Sequence, residues 1–63
     1  MTVDFAFSVG ENVEILGSGL PGVVKALYID EGDVQEINVR YFDRNGACFE
    51  EYFRVTELAH VAG

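Results

Sequence analysis

The chain has 63 residues, with 11 acidic and 4 basic side chains and a formal net charge of -7. This length supports one small domain, and the shortage of cations argues against direct binding to nucleic acid or to an anionic membrane surface. Hydrophobic residues make up 49% of the chain, so its composition is that of a folded protein.

The chain consists of short apolar runs separated by turns. Glycine, proline, asparagine and aspartate mark turns at residues 17–22, 30–33 and 43–46. The runs between them, rich in Val, Ile, Tyr and Phe, predict strands at 13–16, 23–30, 36–42, 47–53 and 59–61. Residues 56–58 suit one 3₁₀ turn before the last strand. Because no window has convincing helical periodicity, we predict an all-β fold, a small barrel of about five antiparallel strands.

Four short motifs follow one another along the chain. FSVGENV (7–13) is followed by GVV (22–24), VRYFD (39–43) and TEL (56–58). In this order the motifs resemble SH3-like small barrels of the Tudor and KOW type, in which Gly-Asp/Glu-x-Val opens the first strand and Gly-x-Val the second. The resemblance covers about residues 7–61 and implies one SH3-like barrel domain over 1–63. Residues 1–8 would form an N-terminal arm or an extension of the first strand.

The third and fourth predicted strands form a hairpin whose register depends on the turn at 43–46. A two-residue Asn-Gly turn places Arg40 opposite Glu51. A type I turn with a glycine bulge shifts the pairing by one residue and places Arg40 opposite Glu50. Asp43 favours the second arrangement, because aspartate suits the first position of a type I turn.

Both faces of this hairpin carry large apolar side chains. Only one face can line the core of a single small barrel, so the other needs cover. That cover would come from residues 5–7, from a second subunit or from a partner protein. We therefore predict an aromatic contact surface with a polar part, made of Phe42, Phe49, Tyr52, Phe53, Arg40, Glu50 and Glu51.

We expect no catalytic, cofactor-binding or metal site. His60 and Cys48 are the only histidine and cysteine, and we interpret them as an exposed or strand-edge residue and a small buried hydrophobe. Zinc needs more such ligands, and the glycines of 17–22 lack the lysine and helix of a phosphate-binding loop. Four carboxylates around one turn do not match a calcium loop and predict an acidic surface: Asp30, Glu31, Asp33 and Glu36.

One enzyme family has a barrel of similar size and shape. Residues 7–13 and 22–28 are loosely similar to the type II dihydrofolate reductases, which work as oligomers. Those enzymes carry a Gln-Ile-Tyr segment and lysines where this chain has FEEY (49–52) and EIL (14–16). The resemblance therefore carries over no functional residue.

These features predict a non-enzymatic interaction module that self-associates or binds a protein partner, without direct contact with nucleic acid or membrane. One alternative is an acidic nucleic-acid mimic or inhibitor of a basic protein. Another is an oligomeric barrel that binds or converts a small molecule. A single cysteine and an N-terminus without a signal-peptide pattern favour a cytoplasmic location.

Overall fold

The computed structural model describes residues 4–61, which form five antiparallel strands in one sheet. The strands are β1 (Asn12–Ile15), β2 (Pro21–Ile29), β3 (Gln35–Phe42), β4 (Cys48–Arg54) and β5 (Leu58–His60), with a 3₁₀ turn at Val55–Glu57. Their order across the sheet is β4-β3-β2-β1-β5, so the last strand pairs with the first. The predicted all-β fold, with a 3₁₀ turn before the last strand, is confirmed.

One face of the sheet encloses the hydrophobic core. Its buried side chains are Phe7, Val13, Ile15, Val24, Ile37, Val39 and Leu58. Within β3 they alternate with exposed or half-buried residues, as the sequence pattern predicts. No second layer covers this face in the described part of the chain, so fully buried residues such as Val39 require the sheet to curl around them.

Two irregularities in β2 allow the sheet to curl. A register shift between Val24 and Ala26 leaves Lys25 as a bulge, and a bulge increases the local twist of a strand. A Cβ atom at Gly22 would overlap the side chain of Val39 on the neighbouring strand. Glycine at this position therefore lets β2 and β3 approach closely over the core.

The turn between β3 and β4 sets the register of the hairpin. Gly46 has a φ of 86°, whereas Asn45 has no positive φ, so the turn is not the two-residue Asn-Gly type. The N–H of Gly46 donates to the carbonyl of Asp43 at 3.1 Å, as in a type I turn with a glycine bulge. Arg40 consequently lies opposite Glu50, which confirms the arrangement that the aspartate favours.

The turn between β2 and β3 repeats this construction. Asp30 is the counterpart of Asp43, and its Oδ1 accepts hydrogen bonds from the N–H groups of Gly32 and Val34 at 2.8 and 3.1 Å. Asp33 has a φ of 60° where the other turn has its glycine. Aspartate tolerates this left-handed conformation better than most residues, because its short polar side chain can bond locally.

The N-terminal segment packs into the core and does not cover the outer face of the hairpin. Phe7 is only 3% exposed and stacks on the ring of His60, with ring centroids 4.3 Å apart. The side chain of Gln35 holds the segment through a 2.8 Å hydrogen bond to the carbonyl of Asp4. The described part of the predicted arm forms no strand, and residues 1–3 lie outside the described residues.

Candidate functional site: the hairpin and its free edge

The residues predicted as a contact surface divide between the two faces of the β3–β4 hairpin. The outer face carries Arg40, Phe42, Glu50 and Tyr52, and the core-side face carries Phe49, Glu51 and Phe53. This division follows from the register, because residues directly opposite each other point to the same face. The structure therefore brings together two clusters, one on each side of the same strand.

The core-side cluster is centred on Tyr41. Its ring stacks on Phe49 at 5.6 Å and meets Phe53 edge-on at 6.1 Å. The Tyr41 hydroxyl donates to Glu51, and this hydrogen bond is the main cause that raises the pKa of Tyr41. Phe53 packs against the core, whereas Phe49 remains 42% exposed and offers contact area at the end of the hairpin.

The outer cluster contains one residue that the predicted contact surface does not include. Tyr28 on β2 meets Tyr52 on β4 edge-on, with ring centroids 5.4 Å apart, and the two rings are 48% and 57% exposed. The neighbouring hydroxyl of Tyr28 is the largest cause that raises the pKa of Tyr52. The bulge at Lys25 shifts the alternation of β2 and places Tyr28 on the outer face, opposite Glu36. The contact with Tyr52 also depends on the order β2-β3-β4, which no local pattern in the sequence gives.

A shallow pocket of about 220 Å³ opens beside Phe42. Its lining residues are Asn12, Pro21, Gly22, Val23, Arg40, Tyr41 and Phe42. Gly22 contributes only backbone atoms to the lining, and most of the wall is apolar. The pocket has the size and character to receive one apolar side chain, with the guanidinium of Arg40 nearby.

β4 lies at the edge of the sheet, and half of its backbone groups face away from β3. The N–H of Asp43 donates to the carbonyl of Ala47 at 2.9 Å, so Asp43 and Ala47 form a hydrogen-bonded pair. Such pairs recur at every second residue along β3 and β4. Pairing with β3 therefore uses the backbone of Phe49, Glu51 and Phe53. The outward backbone groups belong to Cys48, Glu50, Tyr52 and Arg54.

The free side of β4 is long for an edge. The strand has seven residues, and no described strand pairs with its outward side. Among the outward groups, the N–H of Arg54 is occupied, because it donates to the side chain of Glu57 at 2.9 Å. We call this side of the strand, with the side chains of Phe49, Glu50, Tyr52 and Arg54, the β4 edge.

The predicted acidic residues lie at the opposite end of β3. Asp30 uses its carboxylate inside the turn, while Glu31 and Asp33 are exposed. Glu36 is half-buried and lies opposite Arg54 on β4. Within residues 4–61, no three His, Cys, Asp or Glu side chains are grouped so that they could hold a metal ion.

His60 lies on the other edge strand, β5, and its side chain is 61% exposed, as expected. Its Nδ1 contacts the carboxylate of Glu11, a partner that the sequence did not reveal. Glu11 also accepts a hydrogen bond from the N–H of Ser8 at 3.0 Å. The bond from Ser8 first, and the contact with His60 second, lower the pKa of Glu11.

The expectation that Cys48 is buried is wrong. Cys48 is exposed, because it lies on the outer face of an edge strand, opposite the exposed Phe42. The apolar character of the residue gave no information on this, since burial depends on which strand lies next to it.

The chain matches no protein-family model, and comparisons with curated proteins and with solved structures give no match. The fold and the arrangement of the hairpin are therefore the basis for a functional proposal. Within residues 4–61, the structure has no helix of the length and apolarity that crossing a membrane requires.

Proposed function

We propose that the protein is a non-enzymatic interaction module that self-associates through the β4 edge. Phe49 provides the apolar contact on one face, and Phe42 and Tyr52 provide it on the other. The free backbone groups of the strand supply hydrogen bonds to a second strand. The charged side chains beside these groups determine which second strand can pair with β4 without repulsion between like charges.

The distribution of exposed aromatic side chains carries this proposal. Among the described residues, the exposed Phe and Tyr side chains are Tyr28, Phe42, Phe49 and Tyr52. Three of these belong to the β3–β4 hairpin, and the fourth contacts Tyr52. Aromatic rings are enriched in protein interfaces, and an uncovered edge strand readily pairs with another chain.

We expect assembly through one strand to be reversible. The described chain has an accessible surface of 4464 Å². A standard-sized interface removes about 800 Å² from each partner, and a single seven-residue strand offers less. The dissociation constant should therefore be on the order of micromolar or weaker.

Size-exclusion chromatography with light scattering tests the proposal, over a tenfold range of concentration and at two salt levels. The wild type should pass from monomer to a larger species as its concentration rises. Phe49→Asp replaces a 42% exposed ring with a charge and should remain monomeric and folded. Val9→Asp is the matched control, because Val9 is 63% exposed and lies outside the hairpin; this variant should assemble like the wild type.

Two results would contradict the proposal. A wild type that is monomeric at every concentration would exclude self-association. If that monomer bound a basic protein in low salt only, the acidic-inhibitor alternative would be favoured, because salt screens exposed charges. A Phe49→Asp variant that unfolds would show that this ring is a core residue and does not supply the apolar contact proposed for it.

A further inference from the structure

The charges along β4 favour one register for pairing with a second copy, an inference that rests on the self-association proposed above. When two identical antiparallel strands extend one sheet about a two-fold axis, facing residues lie on the same face. The axis then lies between one residue and the same residue of the second copy, and we describe that residue as being on the axis. The residues near the middle of β4 that can occupy it are Glu50, Glu51 and Tyr52.

Two of these registers bring like charges together. With Glu50 or Glu51 on the axis, that carboxylate directly faces its own copy, which destabilises a strand pair. With Tyr52 on the axis, Glu50 faces Arg54 of the second copy, and the symmetry repeats this opposite-charge pair. Each chain has a net charge of -7, so the register that adds attraction at the contact is strongly favoured.

We propose that two copies pair antiparallel through β4, with Tyr52 on the two-fold axis and Glu50 of each copy facing Arg54 of the other. The two charged side chains are available for this contact. Glu50 and Arg54 are exposed. The salt bridge found within residues 4–61 joins Glu11 and His60, so neither Glu50 nor Arg54 takes part in a salt bridge within the described chain.

The backbone supports this register. Tyr52 and Glu50 both direct their N–H and C=O groups away from β3, so the two copies can exchange bonds at Tyr52 and each Glu50 N–H can reach the Arg54 carbonyl opposite. The N–H of Arg54, which Glu57 already holds, is not required. On the outer face, the Tyr28–Tyr52 pair of one copy meets that of the other around the axis.

Disulfide cross-linking between single-cysteine variants identifies directly which residues of the two copies face each other. In a Cys48→Ser background, the variants Tyr52→Cys, Glu51→Cys and Glu50→Cys are each exposed to a mild oxidant at a concentration where the protein is assembled. Facing residues of a hydrogen-bonded pair have Cα atoms about 5.5 Å apart, which suits a disulfide. Tyr52→Cys should form a covalent dimer, and Glu50→Cys, displaced four residues from its own copy, should not.

A charge exchange tests the same register without changing Tyr52. Glu50→Arg alone places two arginines face to face, and Arg54→Glu alone places two glutamates face to face. Each variant should associate at least tenfold more weakly than the wild type. In an equimolar mixture every charged pair that faces between the two copies has opposite charges, so the mixture should associate more tightly than either variant alone.

The outcomes separate this inference from the proposed function. Assembly in which Glu50→Cys or Glu51→Cys cross-links faster than Tyr52→Cys would overturn the register and leave self-association intact. A mixture that associates no better than either variant would do the same. A wild type that stays monomeric would overturn both proposals.

Discussion

The sheet has two edges, and a segment of the chain packs beside one of them. β5 is three residues long, and Phe7 packs on His60 beside it. The N–H of Leu16 donates to the carbonyl of Glu57 at 3.0 Å, which extends the pairing of β1 with β5 by one residue. β4 is seven residues long, with no described segment on its outward side.

The difference between the two edges does not come from the apolar content of the strands. β4 has Phe49, Tyr52 and Phe53, yet only Phe53 packs against the core. At the other edge, Leu58 is 5% exposed and belongs to the same core cluster as Phe7. Aromatic side chains that the chain leaves uncovered are the physical reason to expect a second chain at β4.

The largest expected difference is in the free energy of unfolding, when a phenylalanine at each of the two edges is replaced by alanine. Phe7→Ala removes a ring that is 3% exposed, and we expect a loss of about 3–5 kcal/mol in the free energy of unfolding. Phe49→Ala removes a ring that is 42% exposed, and we expect a loss of about 1 kcal/mol or less. Urea unfolding of both variants, at a concentration where the wild type is monomeric, measures this. Equal losses would mean that the two edges are equally covered.

Substitutions in the two matching turns can separate an effect on the stability of the fold from an effect on self-association. Asp43 Oδ1 accepts two backbone hydrogen bonds, each 2.8 Å long, and Asp30 does the same in the other turn. Asp43→Ala and Asp30→Ala should therefore lower the free energy of unfolding by similar amounts, about 1–2 kcal/mol each.

Their effects on association should differ, because only Asp43 sets the position of β4 relative to β3. We expect Asp43→Ala to weaken self-association and Asp30→Ala to leave it at the wild-type level in light scattering. If both variants weakened it equally, the acidic end of the molecule would belong to the interface.

A smaller effect concerns the pH dependence of stability near β5, where Glu11 contacts His60. The hydrogen bond from Ser8, with the contact from His60, holds the pKa of Glu11 below its ordinary value of 4.5. A carboxylate with a lowered pKa in the folded state stabilises the fold above its ordinary pKa, and this contribution disappears as the pH falls through the folded-state pKa.

Glu11→Gln should therefore lower Tm at neutral pH, and the difference from wild type should vanish in acid. His60→Ala removes only the second cause, so it should retain part of this pH dependence. Thermal unfolding from pH 7 to pH 3 checks both variants. A constant difference between Glu11→Gln and the wild type across that range would contradict the role of the ionised carboxylate.

Local features of the molecule could be predicted from the sequence, and long-range neighbours could not. The register at Arg40 followed from Asp43 and the glycine after it, because turn geometry is decided within a few residues. The contact between Tyr28 and Tyr52 required the order of the strands. The position of Phe7 in the core depended on where the N-terminal segment returns, which alternation along a strand does not specify.

The last expected effect concerns the exposed thiol of Cys48 on β4, whose reactivity should change with little change in the stability of the fold. Cys48 should react with a thiol reagent in the folded monomer at a rate close to that of the unfolded chain, because it is exposed on the outer face of β4. With Tyr52 on the axis, Cys48 lies opposite Thr56 of the second copy, at the end of the paired region. Its reaction should therefore slow several-fold as the wild type assembles, and it should keep a constant rate in Phe49→Asp. A rate that is independent of concentration in a wild type shown to be assembled would place the contact away from β4, because pairing along that strand brings a second chain beside this thiol.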